Sequence, residues 1–471
     1  MKKIALVFLI FALSGFSISA QKTWTLEDCI DHAFKNNIQI KQFMLGVENA
    51  EINLAQSKMN LLPNLNAYVS HGYNWGQTID RFTNQFATAR VQSNNFYGSS
   101  SFTVFSGFQK MNTVRQNQLD LLASKLDADN FMDDIALNIA TAYLQILFAQ
   151  ELLEIATNQL DITQQQVTRM GKLVEAGTLA RGDLLMLEAQ LAAEELQEIE
   201  ARNNLDMSYL ILAHMLDFPS AEGFEIVKPE IELDETQSMT MTPEQIYDNA
   251  VVKRPNIRSA ELKVESASKG LAVARGSHSP TLSMDLSWGT GFSGAQTIGR
   301  NPFFEEVAIG YDSEMNPVYT SVQRYETFET KPFSNQFSDN NNRTINFALR
   351  IPLFNGGFAR TNVSRARISI ENAQYEHESA KLQLNKTIQQ AWADASSSLK
   401  KYTASGKKVE ATEESFKYAE QRFNVGMLTS LDYNNSKNEL QRAQSEMLQA
   451  KYDYLFKTKV LDFYMGIPIK L

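Results

Sequence analysis

"LVEAGTLARGDLLMLEAQL", residues 173–191, sets a helix-breaking Gly177 before Asp183 and a run of leucines at helical spacing. Nearly the same design returns as "FNVGMLTSLDYNNSKNEL" at 423–440. A constant offset of 249 pairs Gly177 with Gly426, Leu179 with Leu428, Asp183 with Asp432 and Leu191 with Leu440. The same offset holds far outside these stretches, pairing Ala142 with Ala391, Ala201 with Ala450 and Pro219 with Pro468, and setting Tyr143 opposite Trp392. Upstream a second offset, 217, pairs Glu27 with Glu244, Asp31 with Asp248, Pro63 with Pro280 and Leu65 with Leu282. The change of offset locates an insertion between roughly 290 and 345. Units of over 190 residues are far longer than a solenoid repeat, so the chain is one duplicated half-molecule and not a repeat array. The expected layout is a leader at 1–20, a first structural repeat at 21–241 and a second at 242–471.

Working outward from the quoted stretches, residues 109 to about 175 contain no proline. Apolar residues recur there at spacings of three and four through Leu119, Leu122, Leu126, Ile135, Ile139, Ile146, Leu153, Leu160 and Val167. That pattern predicts one amphipathic helix of coiled-coil character, ~100 Å long at 1.5 Å per residue. Its twin is expected from about 359 to 424. A second helix is expected from near Asp183 to about Leu216, with the Asp183 carboxylate placed to cap it. The segments 176–182 and 425–431 then become the tips of two helical hairpins. Residues 38–62 read as a further helix ended by Pro63.

Between the helices the period changes to two. In "TLSMDLSWGTGF", Leu282, Met284, Leu286 and Trp288 alternate with Ser283, Asp285, Ser287 and Gly289; in "TINFALRI", Ile345, Phe347, Leu349 and Ile351 alternate with Asn346, Ala348 and Arg350. Strands are expected at about 65–75, 96–105, 281–292 and 344–352, apolar on one face and polar on the other, the pattern of a membrane barrel strand. A one-sided sheet of a soluble protein shows the same alternation. Four strands cannot close a barrel, and unpaired edges are not tolerated in lipid, so a membrane reading requires oligomerisation. Residues 294–343, rich in Asn and Ser with Pro302, Pro317 and Pro332, read as a long polar loop.

The opening "MKKIALVFLIFALSGFSISA" has Lys2 and Lys3, a ten-residue apolar run and small residues up to Ala20, which is the pattern of a secretory signal peptide. Ten apolar residues fall short of the ~20 that span a bilayer. No other stretch reads as a spanning helix, so any membrane span is expected from strands. Without Lys2 and Lys3 the net charge moves from −10 to −12, which argues against a nucleic-acid partner. Cys29 is the sole cysteine and cannot form an internal disulfide. "GTGFSG" at 289–294 matches a dinucleotide-binding pattern formally, but a Pro-containing loop follows where that motif needs a helix. The five histidines are scattered without metal-ligand spacing, and no nucleophile elbow or phosphate loop is present. The expectation is a non-enzyme with no metal site and no cofactor.

With these residues in place, the chain resembles outer-membrane efflux proteins of the TolC type over essentially all of its length beyond the leader. The likeness rests on the tandem halves, on "PLFNGGFARTN" at 352–362, on its counterpart "VFSGFQKMNTV" at 104–114, and on the Gly-to-Asp hairpins. It implies a mixed α/β membrane protein. In a homotrimer, four strands per chain would build a twelve-stranded transmembrane β-barrel, continued by a long antiparallel α-helical coiled-coil barrel through the periplasm. It further implies a passive exit duct of a tripartite efflux or type I secretion system. Such a duct contacts outer-membrane lipid, a periplasmic adaptor (membrane fusion) protein and an inner-membrane pump. The resemblance assigns Ala176, Gly177, Thr178 and Leu179, with Val425, Gly426, Met427 and Leu428, to adaptor docking. It places Asp183 and Asp432 near the pore constriction, where six carboxylates per trimer would attract cations. Asn435 stands where the family's best-studied member has a second aspartate, and Phe423 and Leu428 replace a tyrosine and an arginine. An aromatic and hydrogen-bonded closure around Phe423 and Asn435 is therefore expected in place of a charged lock. The alternative that stays open is an envelope coiled-coil scaffold or adhesin without a pore.

Overall fold

The computed structural model describes residues 23–87, 90–178, 180–229 and 241–470. The signal-peptide reading and Leu179 lie outside these residues. The first half runs β1 (Thr23–Trp24), α1 (Leu26–Asn36), α2 (Ile38–Met59), β2 (Asn66–Asn74), β3 (Thr78–Ile79), β4 (Phe86–Ala87), β5 (Val91–Ser106), α3 (Gln109–Glu175), α4 (Arg181–Met215) and β6 (Glu225–Ile226). The second runs α5 (Pro243–Lys253), α6 (Pro255–Gly276), β7 (Thr281–Ser293), β8 (Thr297–Tyr311), β9 (Pro317–Thr330), α7 (Phe333–Asp339), β10 (Asn342–Arg350), α8 (Phe358–Asn424) and α9 (Ser430–Met465). Even the helix caps repeat. Thr25 and Asp28 form a capping box on α1, and Thr242 and Gln245, at the offset of 217, form one on α5.

Contacts divide the described residues into two compact units, each drawing on both halves: those within 23–51, 119–264 and 372–470 in one, those within 52–118 and 265–371 in the other. The first is helical, and its core has two clusters. One joins Leu26, Cys29 and Ala33 of α1 to Ile139, Tyr143, Ile146 and Leu147 of α3; the other joins Ile246, Ile257, Ile388 and Leu461. Here the duplication shows as chemistry. The Tyr143 hydroxyl donates to the Trp24 and Val227 carbonyls (3.2 and 2.6 Å), while its counterpart Trp392 donates from Nε1 to the Met241 carbonyl (3.2 Å). Each aromatic thus ties its long helix to the segment entering its half, satisfying a polar atom that burial would otherwise strand. Burial pushes the Tyr143 hydroxyl pKa well up.

One expectation is amended in this unit. Among the described residues α3 is long and apolar enough, by length and composition, to cross a membrane. Half of its apolar stretch is buried, with Ile139, Ile146 and Leu147 fully so, and these side chains supply the helical core.

The second unit holds a four-stranded antiparallel sheet in the order β10-β7-β5-β2. Ile345 lies opposite Leu286, Phe347 opposite Met284 and Leu349 opposite Leu282, while Met284 faces Phe102 on the other side. Residues directly opposite share a face, so on β10 and β7 the separate alternations merge into one apolar face, which β5 and β2 continue through Phe102, Phe96, Val69 and Ala67 with Ser100, Thr290, Asn94 and His71 interspersed. Asp285, Ser287, Asn346, Ser99 and Ser101 share the other. The GTGFSG run forms the end of β7 and the turn after it, with no helix starting on it.

The polar loop expected at 294–343 is corrected. It holds a long antiparallel ribbon, β8 with β9, and the short helix α7. Tyr319, Phe304, Ile309 and Phe328 are exposed on this ribbon, so no single face carries the apolar signal that marks a packed strand. Helix α7 lies on the sheet's apolar face at its Ser293 end, where Phe333 meets Phe96 and Phe292, and Phe337 meets Phe96 and Trp288. Gln336, fully buried, accepts from the Ser293 amide (2.8 Å) and donates to its carbonyl (2.9 Å).

Candidate functional site: the paired hairpin tips

Both long helices end in the same way, for the same local reason. Gly177 takes φ 73° and Gly426 φ 76°, the left-handed region that a side chain resists. The Gly177 amide bonds the Val174 carbonyl (2.9 Å) and the Thr178 amide that of Leu173 (3.0 Å). The Gly426 and Met427 amides repeat the pattern on Phe423 (3.0 Å) and Arg422 (2.8 Å). These are Schellman closures, which use carbonyls the helix end would leave bare. A β-carbon on either glycine would meet no atom within 4 Å, so the demand is conformational and not steric.

The starts of the return helices differ from the sequence expectation and from each other. Asp183 does not cap α4: the cap is Ala180, which offers no side-chain bond, and Asp183 is the third helical residue. Asp432 has the same place in α9, where Thr429 is the cap. The Thr429 hydroxyl accepts from the Asp432 amide (3.2 Å) and donates to its carboxylate (2.7 Å). Both carboxylates still sit in the first turn, at the positive end of a helix dipole.

The two tips border one cavity of about 940 Å³, lined by Thr178 and Asp183 from the first hairpin and by Phe423, Gly426, Leu428 and Thr429 from the second. The structure thus brings Asp183 and Phe423 together. Asp432 and Asn435 lie exposed and outside this lining, as do Ala176, Gly177, Val425 and Met427. Phe423 stacks on Tyr433 (4.5 Å between centroids), which is fully buried and bonded by Gln166 across the hairpins. Burial raises the Tyr433 pKa. At the rim Arg169 donates from Nη1 to Asn424 Oδ1 (3.0 Å). The sequence reading missed Tyr433, Gln166, Arg169 and Asn424. Only Tyr433, one residue after the repeated aspartate, carried a signal that could have found it.

One turn behind the cavity the helices are pinned by charge. Lys437 of α9 meets Glu194 of α4 (3.1 Å) and Thr163 of α3, with the Lys and Glu side chains 3 % and 2 % exposed. The Thr163 hydroxyl also reaches Glu194. Gln190 to Asn438 (3.0 Å) and Gln441 to Gln197 (3.1 Å) continue the seam on either side. Burial depresses the Lys437 pKa, with Glu194 opposing that shift.

A one-sided membrane-type sheet in one unit and duplicated helical hairpins in the other define a class, the outer-membrane export channels. The fold agrees with solved channels: the Campylobacter jejuni CmeC outer membrane channel superposes with a TM-score of 0.75 (16 % identity, 97 % of this chain and 92 % of that one). The open state of the Neisseria gonorrhoeae MtrE outer membrane channel gives 0.70 (17 %, 97 % and 94 %). By sequence, the chain is 22 % identical to outer membrane protein TolC of Escherichia coli K12 over 97 % of its own length and 84 % of that protein's. It is also 22 % identical to the proteases secretion protein PrtF of Dickeya chrysanthemi, over 96 % and 90 %. Residues 29–216 and 246–466 match the outer membrane efflux protein family, and the chain belongs to that family. It is an outer-membrane exit duct for efflux or type I secretion, which decides against the scaffold or adhesin reading.

Proposed function

We propose that three copies of this chain close edge to edge, β10 of one against β2 of the next, into a twelve-stranded barrel. Its apolar face meets outer-membrane lipid and its polar face lines a water-filled lumen. The observation that carries this reading is the sheet itself: one predominantly apolar face, and two nine-residue edge strands whose outer edges have no partner within the described chain. Edges of that kind are not tolerated in lipid, and closure removes them. The hairpin tips, on the periplasmic side, receive a periplasmic adaptor that couples the duct to an inner-membrane pump. Ala176, Gly177 and Thr178, with Val425, Gly426, Met427 and Leu428, form the receiving surface, and Asp183, Asp432, Phe423 and Asn435 border the constriction. The half-and-half domain layout, 21–241 and 242–471, gives each protomer two such tips. The names of PrtF, a proteases secretion protein, and CmeC, an outer membrane channel, support the duct reading. Detergent-purified protein should behave as a trimer and conduct ions in a planar bilayer; a stable monomer would overturn the barrel.

A further inference from the structure

The turn between β3 and β4 lies against the polar face of the sheet at the end of β7 remote from α6. Two independent contacts put it there. The Ser293 hydroxyl, fully buried, donates to the Asp80 carboxylate, and Ser293 shares the face of Asp285 and Ser287. The Phe82 ring lies over Gly291 on that same face, so close that a β-carbon at Gly291 would overlap it. The turn is itself built: the other Asp80 oxygen accepts from the Phe82 amide (3.1 Å), the Thr83 amide (2.8 Å) and the Thr83 hydroxyl (3.0 Å), and the Asp80 amide donates to the Gln85 carbonyl (2.9 Å). Asp80 is 5 % exposed. Helix α7 covers the opposite, apolar face at the same level.

We infer that residues 80–85 form a second constriction at the outer mouth of the duct, tethered to the wall through Asp80 and Phe82, with Arg81 its charge-selecting side chain. The inference rests on the duct reading, because a polar sheet face is a lumen only in a closed barrel. A segment held on that face takes up cross-section in every protomer, three times around the ring. With Asp80 buried and hydrogen-bonded, the exposed ionic group of the turn is Arg81, so the turn itself presents positive charge to whatever passes it. Anionic solutes are drawn to such a ring and cations are disfavoured, the opposite of the aspartates at the hairpin tips.

The test places a reporter beneath the turn. Ser287→Cys sits on the polar face six residues from Ser293, about 20 Å along the strand. The native Cys29 is fully buried and silent. Intact cells are treated with maleimides carrying polymers of increasing length. Small maleimide should label both the tethered protein and an untethered Asp80→Ala/Phe82→Ala variant, whereas long polymers should label only the latter. Equal labelling by long polymers in both overturns the constriction. If small maleimide fails to reach the introduced thiol in either, the polar face is no lumen and the duct reading falls instead. Should the double variant not assemble, Ser293→Ala removes one tether and should raise the size limit alone. Arg81→Gln should lower the labelling rate of an anionic thiol reagent relative to a cationic one; an unchanged ratio overturns the charge role.

Discussion

Removing Glu194 should loosen the helices behind the hairpin tips far more than removing the whole ion pair. At 3.1 Å the attraction between Lys437 and Glu194 is ~5 kcal/mol at an effective dielectric constant near 20. Against it stands the lost hydration of two nearly fully buried ions, several kcal/mol for each, so the pair as a whole contributes little net stability. Glu194→Gln changes that balance, leaving an ammonium in a dry seam with only neutral acceptors, Thr163, the Gln159 carbonyl and the new amide, at an expected cost of about 3–5 kcal/mol. Glu194→Leu with Lys437→Met fills the same space without charge and should be neutral or more stable, by up to ~4 kcal/mol. Unfolding of so large a chain is not two-state, so the assay is amide hydrogen exchange along α3, α4 and α9 beside the pair, which reads local opening free energy. The single variant should exchange roughly 10²-fold to more than 10³-fold faster there, while the double variant matches or exceeds the parent's protection. Equal loss of protection in both would refute the account, since the seam would then depend on attraction itself and not on avoiding an unpaired charge.

Three further outcomes are expected. Leu286→Arg should impair barrel assembly by ~2–4 kcal/mol per chain if it lies near the bilayer midplane, whereas Ser287→Arg on the opposite face should assemble normally in a heat-modifiability assay. Gly177→Glu or Gly426→Glu places a side chain in left-handed backbone, a strain of ~1–2 kcal/mol, and a charge on the proposed docking tip. Export should fail while trimer and barrel persist. Asp183→Asn with Asp432→Asn removes six charges per trimer; cation preference and block by multivalent cations in single-channel recordings should both weaken, and unchanged selectivity would leave these residues a structural role only.

The long helices were legible because nothing interrupts their periodicity: residues 109–175 read from sequence coincide with α3, and about 359–424 with α8 one residue longer. The strand from 281 extended one residue beyond the reading, and β5 began five residues earlier, at Val91, where Asn and Gln hide the alternation. The ribbon at 297–330 escaped notice for a related reason. Exposure on both sides removes the one-sided pattern, and Pro302 and Pro317 read as breaks. At the tips, the repeated aspartates were found but displaced by three positions, because the cap of α4 is an alanine and gives no signal. The Lys437–Glu194 pair could not be read at all, since its partners stand 243 residues apart and meet only after three helices have packed.

The two bare edges of the sheet also set an order of events. A lone chain carries nine residues of unsatisfied ladder on β2 and as many on β10, all of β10 exposed, beside a broad apolar face. Such a chain is suited neither to water, where those edges invite indiscriminate pairing, nor to lipid, where their amides would go unbonded. In the proposed trimer, folding of the sheet, recruitment of neighbours and entry into the bilayer therefore cannot be separate stages. Insertion becomes a steep function of chain concentration, and unassembled copies form a pool that must be escorted or degraded.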